Sequence, residues 1–163
     1  MIKLPKLFRS LSALACYKIG AHIGQEINRQ RLEVRSWSRD CLKQIQENGD
    51  EYDQTVLVNY GYGKVMSISF STAGGIGEEE DYEIQQRLNY IQWFLGDLHE
   101  GSNRQQSFQP LPLLARNTEE QIEEEGANEE IEAQMNNIEI EWNIKGYAND
   151  VKSMALNLFI PNN

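Results

Sequence analysis

The sequence predicts an α+β fold: an N-terminal helical arm, then a four-stranded antiparallel sheet from two hairpins, with one helix packed on it. Three observations lead there. Apolar residues recur at helical spacing near the N-terminus and again over 84–98. Two regions, 55–71 and 137–160, each read as two strands about a glycine-containing turn, with apolar and polar residues alternating at the strand period over 65–71, 138–144 and 152–160. A glutamate-rich stretch between them has the composition of a solvated linker. The expected division is a basic helical arm over 1–48 and a hairpin plus helix over 52–100. An acidic flexible linker over 101–136 and a C-terminal hairpin over 137–163, completing the sheet, follow.

The arm begins with Leu4, Leu7, Phe8, Leu11, Ala15 and Ile19, spaced by three or four residues as on one face of a helix. Pro5 is tolerated there because it falls in the first turn, where its missing N–H has no helical acceptor. Gly20 and Gly24 read as a hinge or kink. Helical pattern resumes over 25–46. Ile27, Val34, Trp37, Cys41 and Ile45 share a stripe that is expected to face inward. Arg31, Arg35, Arg39 and Lys43, each four residues after the last, form a separate row on nearly one face. With Trp37 turned inward, that basic row is the expected exposed surface. Asn48-Gly-Asp50 supplies turn chemistry.

Thr55–Tyr60 and Val65–Ser71 read as strands, joined by Gly61-Tyr-Gly-Lys64. Gly74-Gly-Ile-Gly77 then leads to Glu78-Glu-Glu-Asp81, acids that suit a helix N-terminus. Ile84, Leu88, Ile91, Leu95 and Leu98 define the helix that follows, ending near Glu100-Gly101. In the second hairpin, Ile138, Ile140, Trp142 and Ile144 alternate with polar residues. Met154, Leu156, Leu158 and Ile160 repeat the pattern before Pro161.

Charge narrows the function classes. The chain has 163 residues, a mean hydropathy of -0.59 and a formal net charge of -10. Residues 1–46 hold nine Lys/Arg and three Asp/Glu; the remaining six Lys/Arg and 22 Asp/Glu fall in 47–163. The acidic total conceals a basic first quarter, the asymmetry of an arm for an anionic partner. No apolar run approaches the ~18 residues of a spanning helix. Cys16 and Cys41 form no metal or redox motif, which suits a reducing compartment and a cytoplasmic, peripherally membrane-associated protein. The basic start and short apolar run before Cys16 outline a secretory leader crudely. Arg9 and Lys18 favour a retained amphipathic helix instead.

No catalytic motif emerges. The two histidines, His22 and His99, lack metal-ligand spacing, and the glycine loop at 74–77 lacks the lysine and serine or threonine of a phosphate loop. No cofactor is expected. The expectation is a non-enzymatic adaptor or assembly protein that meets a partner protein or an anionic membrane surface. Arg31, Arg35, Arg39 and Lys43 are the candidate partner-binding residues. Leu4, Leu7, Phe8 and Leu11, with Lys3, Lys6 and Arg9, are the candidate membrane contacts. The alternative is a nucleic-acid-binding regulator whose basic row is masked in cis by the acidic linker.

The order of strand pair, Trp93-bearing helix and late strand pair over 55–100 and 137–160 also resembles that of rhabdovirus matrix proteins. That resemblance implies a viral structural protein that self-assembles and associates with membranes and nucleocapsids. It is one of element order. No PPxY or PTAP-type segment accompanies it, and the net charge is acidic.

Overall fold

The computed structural model describes residues 4–17, 23–68, 81–135 and 144–156. Eight helices account for most of them: α1 (Leu4–Ala15), α2 (Gln25–Asn48), α3 (Glu51–Asn59), α4 (Tyr62–Ile68), α5 (Asp81–Glu100), α6 (Pro112–Glu124), α7 (Ala127–Met135) and α8 (Ile144–Leu156). Among the described residues there is no sheet. The only extended pairing among the described residues is an isolated bridge between Ser102 and Phe108. The α+β expectation is therefore corrected to an all-helical fold, and the element order behind the matrix-protein resemblance goes with it.

The first expected hairpin is a helical corner. Asp50 starts α3 with a reciprocal cap: its carboxylate accepts from the Asp53 amide at 3.0 Å, and its own amide donates to Asp53 Oδ2 at 3.1 Å. Such a cap satisfies amides that the first turn leaves without helical partners. Val56, Leu57 and Val58 are all buried in succession, so α3 lacks a polar face over this turn. A short apolar run of this kind has no period to separate helix from strand. Gly61 then takes a φ of +79° and turns the chain into α4, where an L side chain would be strained. The expected alternation over 65–71 fails because Val65, Met66 and Ser67 are all buried; Ser67 satisfies its hydroxyl on the Gly63 carbonyl at 2.8 Å. Residues 69–71 lie outside the described residues.

The expected acidic linker contains α6 and α7. Ala115, Thr118, Ile122, Ala127 and Ile131 are buried, and Glu120, Glu123, Glu124, Glu129 and Glu132 occupy the outer faces of packed helices, whereas Glu119 and Glu125 are partly buried. In the expected second hairpin, 144–156 is helix α8, burying Ala148 and Val151. Residues 137–143 and 157–160 lie outside the described residues.

Helix α5 is the central element. Leu88, Ile91, Phe94, Leu95 and Leu98 are buried, and the ring of Tyr62 from α4 meets Phe94 edge-on at 4.6 Å. Helices α6 and α8 pack on α5, α7 packs on α8, and α1 lies against α2. Helices α2 and α5 run parallel, joined by polar contacts in step. Ser36 donates to Glu83 at 2.9 Å, Tyr90 donates to Asp40 at 3.0 Å, and Gln46 donates to Asp97 at 2.7 Å. The end of α5 is tied to the middle of α6 by His99 Nε2 and Glu119 at 2.8 Å.

Candidate interaction surface

The basic row of α2 faces the chain itself. Arg31, Arg35 and Arg39 are 7, 2 and 0% exposed. Arg35 Nη1 donates to the Tyr17 carbonyl at 3.2 Å, and Arg39 Nη2 donates to the Ala15 carbonyl at 3.1 Å. Helix α1 ends at Ala15 with no basic residue in its last turn. Its terminal carbonyls carry partial negative charge; those of Ser12 and Leu14 accept from the Cys16 and Tyr17 amides at 3.2 and 3.1 Å, and that of Ala15 takes the Arg39 guanidinium. The guanidiniums of α2 thus supply donors as well as positive charge. Lys43 closes the row at the surface, in an ion pair with Glu47 at 2.9 Å and 4.9 Å above the Tyr90 ring.

The candidate membrane face of α1 is turned inward as well. Phe8 is fully buried, its ring 5.8 Å from that of Tyr60, and Leu7 and Leu11 are half-buried. Lys6 and Arg9 are exposed, with the Arg9 guanidinium 5.8 Å over Tyr60. Lys3 and the Leu4 side chain lie outside the described residues. The apolar face that would enter a membrane interface is used against the remainder of the fold.

The expected inner stripe of α2 is the outer one. Trp37 is 71% exposed, Ile27 45% and Val34 40%, and Cys41 is exposed too. Of the five stripe residues only Ile45 packs against the core. Together with the exposed Gln30 and Gln44, these residues advance by alternating steps of three and four: 27, 30, 34, 37, 41, 44. That is a 3.5-residue repeat, the period of a helix–helix seam. The seam spans about 26 Å at ~1.5 Å per residue.

A row of acids runs beside it. Glu26, Glu33, Asp40 and Glu47 are seven residues apart, and the first three each stand one position before a seam residue, Ile27, Val34 and Cys41. Glu26 and Glu33 share Arg29, at 2.8 and 2.5 Å. Asp40 lies 3.6 Å from the buried Arg87, which also pairs with Glu83. Glu47 has Lys43. Five carboxylates thus share three cations, and the edge keeps a net negative charge. On the other side of the seam stand the buried Arg31 and Ser38, which have turned into the core.

No family model, curated protein or solved structure matches this chain. Its function therefore has to be argued from its own geometry. Among the described residues, no helix is long and apolar enough to cross a membrane. No group of three or more histidine, cysteine, aspartate or glutamate side chains among them is placed to hold a metal ion. Other apolar side chains are exposed at Tyr52 on α3, at Tyr82 and Trp93 on α5 and at Leu113 on α6. The α2 seam differs in being periodic along one helix and edged by charge of one sign.

The sequence contained the signal for this seam. The stripe of Ile27, Val34, Trp37 and Cys41 was legible; its direction was not. The acidic row could have been found by reading the same heptad one position earlier.

Proposed function

We propose that this protein is an adaptor or assembly protein that binds a partner protein through the outward face of α2. The observation that carries this reading is the exposed seam of Ile27, Val34, Trp37 and Cys41. Scattered single apolar residues are ordinary on a surface, whereas a periodic row of them along one helix face suits an interaction site. Tryptophan at its middle suits such a site, because buried aromatic anchors dominate interface energetics. The basic N-terminal arm is not the contact in this reading: Phe8 is buried in the fold, and Arg35 and Arg39 are engaged with the carbonyls of Tyr17 and Ala15.

The test is site-directed photo-crosslinking in the native cells. A benzoylphenylalanine in place of Trp37 should give a discrete adduct with one protein, and the same residue in place of Leu113 on α6 should not. The absence of an adduct at position 37, or identical adducts at both positions, rules the reading out.

A further inference from the structure

The seam and its acidic edge together specify the chemistry of the partner. We infer that the α2 face receives an amphipathic helix of another protein, one whose apolar seam is flanked by lysine or arginine. This rests on the adaptor reading and deepens it.

The 3.5-residue spacing of Ile27, Gln30, Val34, Trp37, Cys41 and Gln44 matches a helix laid nearly along α2. A strand or loop would meet the same side chains out of register. Of the two edges of the seam, only one offers charge to a partner. Glu26, Glu33, Asp40 and Glu47 have exposures of 65, 53, 37 and 29%. The opposite edge holds Arg31 and Ser38, both under 9% exposed. An approaching helix therefore meets apolar side chains and glutamines along its middle and carboxylates along one side.

A second copy of the chain does not satisfy this arrangement. In an antiparallel pair of α2 helices the acidic edges would face each other, setting carboxylate against carboxylate along the seam. In a parallel pair, Glu26 of one copy would have to reach Arg31 of the other. Arg31 is committed to its own core and 7% exposed. The net charge of -10 adds repulsion between copies. An anionic lipid surface is disfavoured on the same ground, since the edge acids would meet like charge. A basic-edged helix turns each of these terms favourable.

The probe is a designed three-heptad peptide with leucine and alanine in its seam and lysine at both flanking positions. Its self-pairing is suppressed by its own charge, and it presents lysine to the acidic edge in either orientation. Its counterpart carries glutamate at those positions. Labelled peptide is titrated with the full-length protein and read by fluorescence anisotropy. The lysine peptide should bind saturably, about tenfold or more tighter than the glutamate peptide, and more weakly as salt is raised. Trp37→Ala should weaken it by about tenfold, and Leu113→Ala should leave it unchanged. The double variant Glu26→Lys, Glu33→Lys should reverse the preference between the peptides. No saturable binding, equal binding of the two peptides, or an undiminished affinity for Trp37→Ala overturns the inference. So does a concentration-dependent dimer that Trp37→Ala dissociates. A crosslink at position 37 with loss of peptide preference removes the basic-helix partner and leaves the adaptor reading standing; loss of both removes both.

Discussion

Arg39 on α2 donates through Nη2 to the carbonyl oxygen of Ala15, the last residue of α1, across 3.1 Å. Four residues earlier, Arg35 does the same for Tyr17. One helix thus terminates another, with cations from the middle of α2 answering the negative end of α1.

Replacing Arg39 by methionine keeps much of the aliphatic volume and removes the donors. The Ala15 carbonyl then loses its bond to a charged group in a buried setting. Unfolding by urea should show a loss of about 2–3 kcal/mol. Amide exchange should accelerate most over residues 12–17. A loss confined to a few tenths would mean that water replaces the guanidinium freely.

The cap at the start of α3 gives a smaller effect. Asp50→Ala removes the acceptor for the Asp53 amide and should cost about 1 kcal/mol; Asp50→Asn should recover most of it. Equal midpoints in denaturant for all three proteins would contradict a working cap.

Gly63 is held close to α6. A Cβ there would lie 3.0 Å from Thr118 Cγ2 and 3.1 Å from the Thr118 carbonyl oxygen. Gly63→Ala should therefore destabilise by about 1–3 kcal/mol through overpacking. Adding Thr118→Ser removes the methyl and keeps the hydroxyl bond to the Leu114 carbonyl, seen here at 2.9 Å. The pair should recover part of the loss, leaving what the carbonyl contact imposes. A double variant no more stable than Gly63→Ala would place the strain elsewhere.

Burial pushes the Glu119 carboxyl above its ordinary range, and the His99 bond offsets this only in part. The folded chain therefore holds this proton to higher pH than the unfolded chain does. Ionisation costs stability as pH rises from the unfolded value through the folded one, and the cost is complete above both. Glu119→Gln keeps an acceptor for His99 and removes the ionisation. It should melt higher than the parent at neutral pH, with the difference vanishing below about pH 4, where glutamate is protonated in both states. A variant that melts lower at neutral pH would show that the His99 pair outweighs burial.

Helices α1, α2 and α5 were legible in the sequence because each carries apolar residues at helical spacing. The helices read as strands share a different property. Val56, Leu57 and Val58 are buried together, and Val65, Met66 and Ser67 likewise. Nothing in such a run repeats at 3.6, and the alternation over 65–71 about the Gly61–Lys64 turn pointed to strands. The Asp50–Asp53 cap was the local signal that could have corrected it. On α2 the error was one of direction. Apolar side chains were assigned to the inside and arginines to the outside. An arginine brings a long apolar stem as well as a charge, and the carbonyls of α1 give that charge a partner. Trp37 was released to the surface by the same exchange.

The polar contacts between α2 and α5 join residues 47 to 51 positions apart in the chain: Ser36 to Glu83, Asp40 to Tyr90 and Gln46 to Asp97. Those between α2 and α1 span 18 and 24 positions. During synthesis, the cationic side of α2 meets its acceptors as soon as α2 itself is made. The other side waits for α3, α4 and most of α5 to emerge. Closing the longer loop carries the larger entropic cost and favours later formation. The two sides of one helix are thus completed at different times, and the arginine-lined side is the one that need not wait.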